Sequence, residues 1–189
     1  MIVGQDRAVE QFASAWQRGS LHHAWLLAGP KGVGKASFAR EAATRILADA
    51  AGPSIEATGL ETPQDHRIAR LVEAGSHPDL RWLERLVNEK TNNLARSITV
   101  DQVRSLGELF DLTPALSPWR AVVIDSIDDL EKSAANALLK MLEEPVAEYP
   151  MSLFQGGPDG LFDMVGACRG EQQGLRLGGP AGIVATQQE

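Results

Sequence analysis

Ala24-Trp25-Leu26-Leu27-Ala28-Gly29-Pro30-Lys31-Gly32-Val33-Gly34-Lys35-Ala36-Ser37-Phe38 is the stretch that decides the fold of this chain. A short apolar run enters a glycine-rich turn, and a helical pattern leaves it. Strand, loop and helix in that order are the setting a phosphate-binding loop requires. Glycines let the backbone fold so that successive N–H groups point at one anion. The emerging helix adds the positive end of its dipole. The spacing G-x-x-x-x-G-K-[ST] holds from Gly29 to Lys35 and fails at its last place, where Ala36 stands. Lys35 is expected to meet the terminal phosphates of a nucleotide. Ala36 has no hydroxyl to hold a magnesium ion, and Ser37, about 100° further round the helix, is expected to point elsewhere. The binding set read from this stretch is Gly29, Pro30, Lys31, Gly32, Val33, Gly34, Lys35, Ala36 and Ser37.

The other half of such a site is an acid at the end of a buried strand. Arg120-Ala121-Val122-Val123-Ile124-Asp125 is an apolar run that ends in one, as a strand covered on both faces of a parallel sheet would. An aspartate here holds the magnesium ion in many nucleotide hydrolases. Many of them place a glutamate immediately after it to orient the attacking water, and here that place is Ser126. Asp128 and Asp129 follow on the connection, with no direction readable from the sequence.

Around these two segments the pattern is that of an α/β domain. Val9, Phe12, Ala13 and Trp16 share one helical face, which Gly19 closes. Phe38, Ala42, Ala43, Ile46, Leu47 and Ala50 continue the helix after the loop. Gly52 to Pro63 reads as a surface loop, and Ile68, Leu71 and Val72 as a helix stopped by Gly75. Leu80-Arg81-Trp82-Leu83 is a second strand, and Glu84 to Asn93 an exposed polar loop. Thr99 and Gln102 fit a capping box ahead of Val103, Leu106, Leu109 and Phe110. Ala134, Ala135, Leu138, Met141 and Leu142 form a last amphipathic helix, ended by Pro145. His22 and His23 are adjacent on an extended segment and point to opposite faces, which does not suit a metal pair.

Composition narrows the function classes. The 189 residues are enough for one domain with a core. The net charge of −7 argues against gripping a nucleic-acid backbone unaided, since that affinity comes from lysine and arginine displacing counterions. A single cysteine, Cys168, excludes an internal disulfide and a zinc site built from cysteines. No run approaches the ~20 apolar residues of a membrane span, and the first residues do not read as a signal peptide. A cytoplasmic protein is expected. From Val146 the text changes: half of the 18 glycines fall in residues 146–189. An irregular tail is expected there, with only Met151-Ser152-Leu153-Phe154 and Ile183-Val184-Ala185 able to form strands.

Two runs carry a family likeness. Residues 21–35, through Leu21-His22-His23-Ala24 to Gly34-Lys35, resemble the start of a clamp-loader AAA+ domain, and Asn136-Ala137-Leu138-Leu139-Lys140-Met141-Leu142-Glu143-Glu144-Pro145 is a specific match to the same family. Ser76-His77-Pro78-Asp79-Leu80 and Ile98-Thr99-Val100-Asp101-Gln102-Val103-Arg104 add to it. Within that family Ala36 and Ser126 resemble the delta-prime subunits of the bacterial DNA polymerase III clamp loader more than the ATP-hydrolysing gamma and tau subunits.

The resemblance implies a three-layer α/β domain with a parallel sheet over residues 1–145, a truncated AAA+ domain, and a tail at 146–189 outside the family pattern. It implies ATP as the candidate cofactor, with magnesium left open and no zinc, and places the Ile2–Gln5 region near the adenine. Asp125 joins the loop residues as the phosphate-side acid. The implied partners are the gamma, tau and delta subunits in a hetero-oligomeric ring, with DNA and the sliding clamp reached only through that ring. The family's polar sensor strand and its Ser-Arg-Cys segment are not recognisable after Pro145. No catalytic residue is assigned. A stator with weak or absent hydrolysis, an active ATPase of the same fold, and a fragment without function are the readings that stand.

Overall fold

The computed structural model describes residues 4–21, 24–143, 150–156, 172–175 and 183–186. The expectations for Ile2, Val3, His22, His23 and the rest of the tail lie outside those residues. Helix α1 (Asp6–Gln17) leads to strand β1 (Ala24–Ala28), the glycine-rich loop and helix α2 (Lys35–Ala51). Then come α3 (Arg67–Glu73), β2 (Leu80–Glu84) and two short strands, β3 (Val87–Asn88) and β4 (Asn93–Leu94). Helix α4 (Val100–Asp111), β5 (Arg120–Asp125), a single 3-10 turn (Ile127–Asp129) and α5 (Lys132–Glu143) come next. Strands β6 (Pro150–Gly156), β7 (Gln172–Leu175) and β8 (Ile183–Thr186) follow.

The main sheet has the order β2-β5-β6-β1-β8-β7. Its first four strands are parallel. Strand alternation sorts their side chains into two cores. Trp25, Leu27, Ala121 and Val123 face the side covered by α1, α2 and α3, where Phe12, Phe38, Ile46 and Ile68 are buried. Ala24, Leu26, Val122 and Ile124 face the side covered by α4 and α5, where Val103, Leu106, Leu109 and Leu138 are buried. A strand apolar on both faces needs a layer on each side, so the three-layer arrangement follows from residues 24–28 and 121–124. Helix α4 starts as its sequence indicates. The Thr99 hydroxyl accepts from the Gln102 amide at 3.4 Å, and the Gln102 side chain accepts from the Thr99 amide at 3.0 Å.

The tail adds strands to the sheet. Met151–Phe154 enter the place between β1 and β5 as anticipated, with Ser152 level with both Ala24 and Val122. After Gly156 the structure describes two further strands. Strand β8 pairs antiparallel with the free side of β1, Trp25 opposite Ala185, and β7 pairs antiparallel with β8. The sheet is therefore mixed, not purely parallel. Buried β1 carries backbone donors and acceptors on two edges, and each edge requires a partner. Ile183-Val184-Ala185 has the β-branched character to provide one, whatever the glycines beside it.

Two further differences lie in the loops. Glu84 to Asn93, expected as a plain polar loop, contains β3, which pairs with β4 as a hairpin that exposes Val87 and Leu94. The loop between α2 and α3 is wound round one buried side chain. The Arg45 guanidinium donates to the carbonyl oxygens of Ile55, Ala57, Gly59 and Glu61 at 2.8 to 3.1 Å.

Candidate functional site

Strand β1 delivers the chain to the loop at the carboxyl edge of the sheet, where α/β folds present their ligands. Gly32 and Gly34 have φ of +84° and +96°, in the left-handed region. A side chain at either would be strained, which accounts for glycine there. Gly34 is also the N-cap of α2, and no side chain caps that helix. The first-turn N–H groups of α2 are thus left for another acceptor, with the positive end of a 17-residue helix behind them. Lys35 folds over the loop and donates to the carbonyl oxygens of Gly29 at 2.6 Å and Pro30 at 3.0 Å.

These groups border a cleft of about 910 Å³. Gly29, Lys31, Gly32, Gly34, Lys35, Ala36 and Ser37 line one side. Pro30 and Val33 serve through their carbonyls instead, Pro30 holding Lys35 and Val33 accepting from the Gln5 side chain at 3.4 Å. Gln5, in the region the resemblance places near adenine, is thereby fastened to the loop. Ser37, expected to turn away, is exposed and shares the cleft with Ala36.

Asp125 stands across from the loop at the end of β5. Ser126, Asp128 and Asp129 line the same wall. The Ser126 hydroxyl is engaged locally: it donates to the Asp128 carboxylate and accepts from the Asp128 amide, both at 3.2 Å. Burial, then the charges of Glu84 and Asp129, push the Asp125 carboxyl above its usual range, while Lys35 and Arg40 pull it back. Burial lowers Lys35, and Asp128 and Asp125 oppose that shift. The two mutual effects show that lysine and acid share one electrostatic environment.

Glu84, Arg85, Val87 and Leu94 complete the wall, and sequence reasoning missed all four. Glu84 ends β2 in register with Asp125, its Cα partner on β5. Leu80 and Trp82 alternate with it toward the α2 side, so Glu84 projects on the face that holds Lys35. Arg85 reaches Asp129 at 3.2 Å. The only signal available was strand alternation in Leu80–Glu84, useless until β2 is known to lie beside β5.

An uncapped helix start, two left-handed glycines and a lysine over the loop fit the phosphates of a nucleotide. The same residues fit a metal ion poorly. Ala36 supplies no hydroxyl, and among the described residues no group of three or more His, Cys, Asp or Glu side chains is arranged to hold one. No helix among them is long and apolar enough to cross a membrane.

The profile of the family described as "DNA polymerase III, delta subunit" matches residues 4–162, which carries the likeness past Pro145 and through β6. The chain is similar to the DNA polymerase III subunit delta' of Pseudomonas aeruginosa, 35% identical over 162 residues, covering 84% of this chain and 44% of that protein. It is also similar to the DNA polymerase III subunit gamma of Buchnera aphidicola, 31% identical over 144 residues, 76% of this chain and 36% of that protein. Among solved structures, a DNA polymerase III gamma subunit-related protein from Thermotoga maritima superposes with a TM-score of 0.52 at 16% identity. That match covers 83% of this chain and 43% of that one, and it speaks to the fold. The chain spans less than half the length of these relatives.

Proposed function

The chain belongs to the family of DNA polymerase III clamp-loader subunits, and on that premise we propose that it serves DNA replication as a clamp-loader subunit of the delta-prime kind. It is a cytoplasmic stator, a fixed wall that neighbouring gamma, tau and delta subunits bind, and not a motor. Its loop holds a nucleotide without turning it over at an enzyme's rate. DNA and the sliding clamp are met through the assembled ring.

One observation carries this reading. The cleft brings together Lys35 and Asp125, the two ends of a nucleotide-hydrolysing site, yet its wall offers Ala36 and a locally engaged Ser126 where a metal-holding hydroxyl and a water-orienting acid would stand. That combination supports holding a nucleotide over hydrolysing it.

Mixing the full chain with gamma and delta subunits and resolving the mixture by gel filtration tests the assembly. Co-elution is expected, and Lys35→Ala should co-elute equally well, because a stator's contacts do not depend on its own turnover. A chain that elutes alone at micromolar concentration overturns the proposal.

A further inference from the structure

The charges around the cleft are unevenly divided. On the loop side stand Lys31, Lys35 and the free amides of the α2 start. On the opposite wall stand four carboxylates, those of Glu84, Asp125, Asp128 and Asp129. Among the described residues Arg85 is the one cation lining that wall, and it is spent on Asp129 at 3.2 Å. Arg40, further along α2, acts on Asp125 from its place over the Trp82 ring, 4.4 Å from the centroid. Lys35 in turn feels both Asp125 and Asp128, so whatever rests on its ammonium faces those carboxylates.

We propose that this cleft takes a nucleoside diphosphate in preference to the triphosphate. The inference rests on the nucleotide-holding role proposed above and names the ligand class within it. Two phosphates suffice to occupy Lys35 and the helix amides. A third adds negative charge before a wall that is already acidic. Ordinary nucleotide sites relieve that repulsion with a magnesium ion held partly by a hydroxyl on the residue after the lysine. Here that residue is Ala36. Glu84 bears most on the preference because it stands in register beside Asp125, on the same face, and among the described residues is paired with no cation at the cleft.

Calorimetric titration of the full chain with ADP and with ATP decides it, in EDTA and in excess magnesium. ADP should bind roughly tenfold more tightly than ATP in EDTA, the effect of about one screened charge at a few ångströms. Magnesium should not reverse the order. Glu84→Gln should narrow the ratio by strengthening ATP more than ADP, and Asp129→Asn, which also releases Arg85, should narrow it to a smaller degree. Equal binding of the two nucleotides, reversal by magnesium, or a ratio that neither variant moves overturns the preference and leaves nucleotide holding intact. Failure of both ADP and ATP to bind overturns the nucleotide-holding role, and this inference with it.

Discussion

The ammonium of Lys35 lies 2.6 Å from the carbonyl oxygen of Gly29, so the motif's cation is folded back on the loop it closes. A phosphate on that loop would compete with the carbonyl for the same protons and would win on charge. Binding should therefore depend on Lys35 and turnover should not follow from it. Loss of a positioned general base alone costs ~10²–10⁴ in rate. Steady-state phosphate release should stay within background for the wild-type chain and for Lys35→Ala alike. Lys35-dependent turnover near ~1 s⁻¹, an ordinary enzyme rate, would falsify the stator reading.

Ala36→Ser restores a hydroxyl at the last motif position, on the partly buried first turn of α2. Serine is tolerated in a first turn, so the fold should survive. Affinity for ATP should become magnesium-dependent and rise by roughly tenfold, equal to ~1.4 kcal/mol. Phosphate release should remain low, because Ser126 still stands where a water-orienting acid would be. An ATP titration unchanged by magnesium in this variant would show that more than the hydroxyl is missing.

The Ser76–Leu80 run, quoted above only for its family likeness, has a structural cause. Buried Asp79 accepts the amides of Ala115 at 2.7 Å and Leu116 at 2.9 Å, and so fastens the α4–β5 connection beside the start of β5. Asp79→Ala leaves two amide donors without an acceptor and should cost roughly 2–6 kcal/mol, at ~1–3 for each. Urea denaturation would measure it. A loss under ~0.5 kcal/mol, the range of an ordinary surface change, would mean that water replaces the carboxylate freely.

How much was legible in the sequence follows from the kind of signal each part carries. Residues 24–38 and 120–125 encode their secondary structure locally, as apolar runs beside glycine or acid, and the structure has the strand, loop, helix and strand that were read, Ser37 alone lying where it was not expected. The capping box at Thr99 and Gln102 is likewise a matter of spacing. Glu84 and Arg85 enter the cleft only because β2 lies beside β5, a pairing of Leu80 with Ala121 and of Glu84 with Asp125 that no local pattern announces. Ile183–Ala185 was readable as a strand, but its place was not, for a related reason: its partner is the outer edge of β1, and the residues around it say nothing about a vacant edge elsewhere. The interior of the loop after α2 was illegible because its organising group is an arginine, a residue usually assigned to the surface.

Acid should weaken the fold through His77. This buried imidazole accepts the Asp79 amide on Nδ1 at 3.1 Å, so that nitrogen carries no proton. Burial lowers the pKa most, Arg67 lowers it too, and Asp79 opposes them. The folded value therefore lies below the ordinary ~6.5 of the unfolded chain, and below that pH the unfolded state binds more protons. The contribution of the neutral ring is whole above about pH 6.5 and is lost as pH falls toward the folded value, with a limiting slope of ~1.4 kcal/mol per pH unit for one proton. Melting curves between pH 8 and pH 5 should show a decline that His77→Gln lacks. Parallel declines in the two proteins would remove His77 as the cause.

Arg45 should matter more to the loop after α2 than any apolar residue in it. The side chain is 4% exposed, and its two terminal nitrogens serve alternate carbonyls, those of Ile55, Ala57, Gly59 and Glu61. Among the described residues no carboxylate bonds it directly; Asp49 acts on it through space while accepting from Trp16 and the Ile55 amide. The burial of the charge is thus offset chiefly by carbonyl dipoles, which a planar fork can reach on both sides. Methionine would fill much of the volume and satisfy none of the carbonyls. Hydrogen bonds to a charged group are worth ~1.5–3 kcal/mol, but several of these carbonyls lie near the surface and can turn to water, so Arg45→Met should cost about 2–4 kcal/mol. Lysine keeps the charge but presents one compact donor group, and Arg45→Lys should recover less than half of the loss. Limited proteolysis should cut Arg45→Met first within residues 52–63, while β1 and β5 keep their amide protection. If Arg45→Lys matched the wild type in both stability and cleavage, charge alone would hold this loop, and the forked geometry would have no part in it.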